Sequence, residues 1–190
     1  MRVHNRLAAS PASAWLGSRL AAWRKDAAGV TAIEFAMVAT PFLMLLFGII
    51  AVGLFFFTTF TLEHAVEQAS RLLRTGQAQT SAMTTDQFKA EICSRAPSFV
   101  DCGSKLRVSV EKFNEWTQIT PANTPKCLDA GGDLTTTTTY NSPVAGEIAL
   151  VWVCYEWDLA SKIPYLHMGN MSSGARLIQV ATTFRVEPYE

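Results

Sequence analysis

No charged residue stands between Phe35 and Leu62. That absence excludes a solvated surface segment, because roughly 20 apolar residues in a helix already cross a hydrocarbon core of about 30 Å. The polar members of the run, Thr40, Thr58, Thr59 and Thr61, fit a helix because threonine can bond back to its own backbone. Acids are scarce before the run. In residues 1–29 Asp26 alone faces Arg2, Arg6, Arg19, Arg24 and Lys25. The formal net charge of +0 therefore conceals a basic head and an acidic body. Such a split is a topology signal and not a nucleic-acid footprint, and it puts the N-terminus in the cytoplasm and the rest across the membrane. A cleaved secretory signal is excluded on length, since its apolar core is shorter and ends in a small-residue site that "TTFTLEHAVEQ" does not offer.

Cysteine is absent before Cys93, and Cys93, Cys102, Cys127 and Cys154 all follow the apolar run. No CxxC pair occurs, and His4, His64 and His167 are scattered, which argues against a zinc or redox centre. An even number on the oxidising side points to two disulfides. Of three connectivities, Cys93–Cys102 with Cys127–Cys154 is favoured, because the first closes a short loop and the second ties a loop to a strand. No GxSxG, Walker loop, GxGxxG or HExxH is present, so the chain does not read as an enzyme, and no cofactor or metal is expected. Glu156 and Asp158 sit on one side of a strand, but two acids at a strand end are ordinarily solvated surface. Trp116, Trp152, Tyr155 and Trp157 are better explained by packing than by a ligand groove.

What is present organises into an α+β chain. A helix is expected from Thr31 through the apolar run, with the span at about 35–60 and Pro41 as a kink, because proline withholds a bond from the carbonyl of Met37. Leu62, Ala65, Val66, Ala69, Leu72 and Leu73 then recur at helical spacing against Glu63, Glu67, Gln68, Arg71 and Arg74. Gly76 is placed to end that helix. A short helix follows, capped by Thr84 or Thr85 and burying Phe88 and Ile92. "KLRVSVEKF" alternates Leu106, Val108 and Val110 inward with Arg107, Ser109 and Glu111 outward. "EIALVWVCYEW" and "RLIQVATTFRVE" complete a small antiparallel sheet of about three to four strands. The loop from Thr117 to Gly146, with the Thr135–Thr139 run, reads as hydrated surface. The expected domains are a cytoplasmic leader at 1–29, a long helix at 30–76, and an extracytoplasmic disulfide-bearing domain at 77–190.

Glu34 is the one acid at the entrance to the apolar run, and it has two readings. Thr31-Ala32-Ile33-Glu34 matches a capping box, in which Thr31 starts the helix and Glu34 reaches back. Taken with what precedes it, "RKDAAGVTAIEFAMVATPFLMLLFGII" resembles the processing site of a type IVb prepilin. A basic leader ends in Gly29, the new N-terminus would be Val30, the fifth residue is Glu34, and the aromatic next to it is Phe35. The phenylalanine departs from the tyrosine frequent in major pilins of that class. "ASRLLRTGQ" at Ala69–Gln77 and the terminal Arg185-Val186-Glu187-Pro188-Tyr189 narrow the resemblance to TadE-like pseudopilins of the tight-adherence (Flp) pilus system.

The resemblance implies a minor pilin or pseudopilin cut after Gly29 by a prepilin peptidase and acting in surface adhesion and biofilm formation. It also implies partners: that peptidase, other pilins through the N-terminal helix, and the inner-membrane assembly platform. The protein would be single-pass in the inner membrane, with a periplasmic C-terminal domain, and could enter a surface pilus. Glu34 and Phe35 would be assembly contacts, Glu34 pairing with the freed amine of a neighbouring subunit. The alternative is an unprocessed single-pass anchored binding or scaffold protein. A pseudopilin of a type II secretion system fits less well, because that family has a shorter leader and a different helix motif.

Overall fold

The computed structural model describes residues 28–163 and 166–189. The basic stretch of the expected leader, up to residue 27, lies outside the described residues. Two compact units divide the chain between Phe47 and Gly48. Helix α1 spans Ala28–Arg74 and carries Pro41 inside it. Beside that proline, Thr40 Oγ1 donates to the carbonyl of Ala36 at 2.7 Å. Because Ala28, Gly29 and Val30 are already helical, Thr31 is not an N-cap, and the expected start at Thr31 moves upstream. The capping box of Thr31 and Glu34 is thereby corrected: amides from Ala32 onward have carbonyl partners four residues back and need no cap.

The described part of the first unit is helix with outward side chains; Phe35 and Met37 are each 73% exposed. In the second unit the same helix turns amphipathic. Leu62, Ala65, Val66, Ala69 and Leu73 are fully buried, while Glu63, Glu67, Gln68 and Arg71 face water. Upstream of this stripe Thr58 is also buried, its hydroxyl bonded to the carbonyl of Leu54 at 2.8 Å.

A short turn of helix, α2 (Gln77–Thr80), leads into α3 (Thr85–Arg95). Thr84 caps α3 as expected. Its side chain accepts from the amide of Gln87 at 3.3 Å, and the Gln87 side chain accepts from the amide of Thr84 at 2.9 Å. Phe88 and Ile92 are buried.

The sheet is antiparallel and three-stranded in the order β1 (Leu106–Phe113), β2 (Ile148–Trp157), β3 (Arg176–Arg185). Register pairs Val108 with Val153, and Val153 with Val180. Since side chains alternate, one face collects Leu106, Val108, Val110, Val151, Val153, Ile178, Val180 and Phe184. That face shares a single core with Leu62–Leu73 of α1 and with Phe88 and Ile92.

The opposite face departs from expectation at Ser109, which is buried and not outward. The long loop covers it: Ser109 Oγ accepts from the amide of Thr139 at 3.4 Å, and Cys127 lies 2% exposed against β2. Nor is the threonine run wholly hydrated. Thr136, Thr137 and Thr138 are exposed, but Val110 donates to the carbonyl of Thr139 and accepts from Asn141, each at 2.8 Å. This short parallel bridge at Val110–Tyr140 occupies the outer edge of β1, where unpaired backbone would otherwise invite another strand. A four-residue helix, α4 (Leu159–Lys162), follows β2.

Candidate functional site

Gly29, Val30, Glu34 and Phe35 all lie on exposed surface of α1. A Cβ added at Gly29 would meet nothing within 4 Å, so packing does not demand a glycine there. Exposed with them are Ile33, Met37, Val38, Phe42 and Leu45. An apolar helix with its side chains outward is stable only where something other than water surrounds it. The helix is long and apolar enough to cross a membrane, with a mean hydropathy of 2.4 over its most apolar window.

The two cysteine pairs are at disulfide distance in the expected connectivity. Cα atoms are 6.0 Å apart for Cys93–Cys102 and 5.5 Å for Cys127–Cys154. The first ties the end of α3 to the turn before β1. The second ties the long loop to β2, and Trp152 Nε1 lies 3.1 Å from Cys127 Sγ. Trp152 is thus a cover for this bridge. Tyr155 and Trp157 are core residues, and Trp116 is exposed and apart from them.

Glu156 and Asp158 do not act on each other. Glu156 accepts from Ser173 Oγ at 3.0 Å, whereas Asp158 lies past the end of β2. Asp158 Oδ2 accepts from Lys162 Nζ at 2.7 Å and from Lys105 Nζ at 2.9 Å. Lys162 first, and then Lys105, holds the Asp158 carboxyl below its ordinary range, and the same contact raises Lys105. A carboxylate held ionised between two ammonium groups is a brace and a poor proton donor. Burial pushes the nearby Tyr155 phenol up, and its hydroxyl accepts from the amide of Asp101 at 3.3 Å. Among the described residues no three His, Cys, Asp or Glu side chains cluster as a metal site would require.

Sequence reasoning noted both "RTG" and the terminal "EPY" without placing them together. The structure joins them. Gly76 ends α1 in the left-handed region at φ 79°, its amide bonded to the carbonyl of Leu73 at 3.4 Å. The ring of Tyr189 lies over Gly76 so closely that a methyl added there would sit 2.6 Å from Tyr189 Cβ. Glu187 donates its amide to the carbonyl of Arg74 at 2.9 Å, satisfying one of the orphan acceptors at the helix end. The guanidinium of Arg74 stands 5.0 Å from the centroid of Phe184, on the last strand. The end of α1 is therefore latched by the C-terminal segment.

What decides the affinity of the helix is a comparison with known families. Residues 29–71 match the family model described as TadE-like protein. Over those residues the long helix is similar to that family. The match opens on Gly29 and closes inside the last turn of α1, and the sheet lies outside it. It is consistent with a TadE-like pseudopilin of the Tad/Flp pilus system and with a membrane anchor, and it suggests a role in Tad pilus assembly. TadE-like pilins are structural pilus components and not a known enzyme family. No curated protein and no solved structure matches the chain.

Proposed function

We propose that this protein is a minor pilin or pseudopilin that takes part in assembling a tight-adherence pilus, and that it is cut after Gly29 by a prepilin peptidase. The observation that carries the reading is the TadE-like match opening on Gly29, with Glu34 five residues on. Residues 1–29 are then a cytoplasmic leader, 30–76 the long helix, and 77–190 a periplasmic domain. Surface adhesion and biofilm formation are the activities such a filament serves.

The chemistry is consistent with the residues. Nothing packs on Gly29, so its lack of a side chain suits a tight protease subsite. Glycine costs about 1 kcal/mol relative to alanine in a helix, so this end opens readily to a protease. Cleavage frees the amine of Val30, with an ordinary pKa of about 8 and hence cationic. An unpaired carboxylate deep in a bilayer costs on the order of 2.5–3.5 kcal/mol. Glu34 recovers that cost by meeting the Val30 amine of a neighbouring subunit, while Phe35 and the residues after it pack on other pilin helices. Pro41 supplies a point of bending. The assembly platform of the inner membrane is the remaining partner.

Exchange of Glu34 tests the assembly role. Glu34→Ala is expected to leave the protein processed and membrane-inserted while filaments are lost. Normal piliation in that variant would remove Glu34 from the mechanism.

A further inference from the structure

The two edges of the sheet are finished differently. The outer edge of β1 is taken at Val110 by the segment Thr139–Asn141. β3, Arg176–Arg185, pairs only with β2. Two hydrogen bonds show which of its backbone groups turn away from β2. The amide of Val186 donates inward to the carbonyl of Glu147 at 2.9 Å, whereas the amide of Leu177 donates outward to Asn170 Oδ1 at 2.8 Å. Backbone groups alternate along a strand, so Gln179, Ala181, Thr183 and Arg185 turn both N–H and C=O to the open edge. All four residues are exposed, and among the described residues none of these groups has a protein partner.

The open stretch has defined ends. Asn170 occupies the amide of Leu177, and the amide of Glu187, just past the strand, goes to the carbonyl of Arg74 at 2.9 Å. The free groups between them are symmetric about Thr182. No charge and no proline stand between Arg176 and Arg185, so the usual devices that keep an edge strand from pairing are missing. Antiparallel pairing about Thr182 sets Gln179 opposite Arg185, and Ala181 opposite Thr183, of a second copy. Each such pair exchanges two hydrogen bonds. Arg185, which has no acidic partner among the described residues, then lies beside an amide side chain able to accept from it. On the core side Glu67 accepts from Thr182 Oγ1 at 3.1 Å and faces Arg74 at 3.7 Å, so the carboxylate bonded to the axial residue is already balanced.

We infer that β3 is a self-association edge, at which two copies of this chain join antiparallel about Thr182 and their sheets become continuous. The occupant is a second copy and not an unrelated strand, because the edge is complementary to itself. In this one register every free backbone group from Gln179 to Arg185 finds a partner and no like charges are set opposite each other. The pairing uses the same patch on both copies, which makes a closed dimer. Both β3 edges are then consumed, and the bridge at Val110 blocks the outer edge of β1 against further growth. The inference does not depend on how Gly29 is processed.

The test mixes full-length Gln179→Cys and Arg185→Cys chains in detergent and adds dibromobimane, a short bridge between neighbouring thiols. The register brings position 179 of one copy beside position 185 of the other, with Cβ atoms about 4.5–5.5 Å apart. Two copies of position 179 stand about 20 Å apart, a separation of six residues at about 3.4 Å each. The expected product, read by intact mass, is a bridged dimer holding one chain of each kind, with no dimer from either variant alone. No bridge in the mixture, or a bridge formed by Gln179→Cys alone, overturns the pairing. The wild-type chain supplies a second reading without substitution. Hydrogen exchange at the amides of Gln179, Ala181, Thr183 and Arg185 is expected to slow as protein concentration rises. Unchanged exchange at these four amides overturns the inference, even in a chain that associates through α1.

Discussion

Gly76→Ala tests the latch that closes the helix against the C-terminus. Two penalties act at this position. A non-glycine residue in the left-handed region costs roughly 1–2 kcal/mol, and Gly76 holds φ 79°. The added methyl also meets Tyr189, with its Cβ only 2.6 Å away, and forcing a side chain out of a packed site costs typically about 1–3 kcal/mol. The expected loss is about 2–5 kcal/mol, a large share of the stability of a small domain. It is measured by urea unfolding of the detergent-solubilised full chain, followed by tryptophan fluorescence. The decisive comparison is a double-mutant cycle. In a Tyr189→Gly background, which removes the Cβ as well as the ring, the steric part vanishes, and Gly76→Ala should cost only about 1–2 kcal/mol. An equal cost in both backgrounds would refute the contact with Tyr189. A negligible cost in both would refute the left-handed geometry as well.

Other consequences are open to the same assay. Thr84→Ala removes the cap of α3 and should cost about 1 kcal/mol, with Thr84→Ser nearly neutral. Replacing Cys127 and Cys154 together by alanine should destabilise more than replacing Cys93 and Cys102. Their sequence separations are 27 and 9, which the loop-entropy relation converts to a difference of about 1 kcal/mol. The Asp158 brace makes an acid-sensitive contribution. Its folded pKa lies below the unfolded value of about 3.9, so the stabilisation is complete above that pH and is lost as pH falls through the depressed folded value. Asp158→Asn should therefore flatten the acid limb of the stability profile and leave the slope between pH 6 and about 8 unchanged.

Much of this architecture can be read from residue order because it depends on short-range physics. The alternation in Leu106–Val110, the Thr84 cap and the glycine closing α1 are local patterns, and each appears where local rules place it. The cysteine pairing followed from loop lengths. Features set by distant segments did not emerge in the same way. Ser109 has the outward place in its strand, yet the loop folds over it and supplies Thr139 as a donor. Asp158 reads as solvated surface at a strand end, and nothing local signals that Lys105, more than fifty residues away, pairs with it. Thr31 and Glu34 have the spacing of a capping box, but a pattern of four residues does not reveal that the helix has already begun. The contact of Tyr189 with Gly76 joins the two ends of the domain, and no periodicity signals it.

The central claim is that Gly29 marks a cleavage site and that the mature chain begins with Val30. Its most direct test is the intact mass of the membrane-extracted protein after co-expression with its prepilin peptidase. The account predicts a mass lacking residues 1–29, and retention of the full-length mass in a Gly29 variant that the enzyme does not cut. A wild-type chain that keeps its original N-terminus would contradict the account and leave an unprocessed, membrane-anchored scaffold protein in its place.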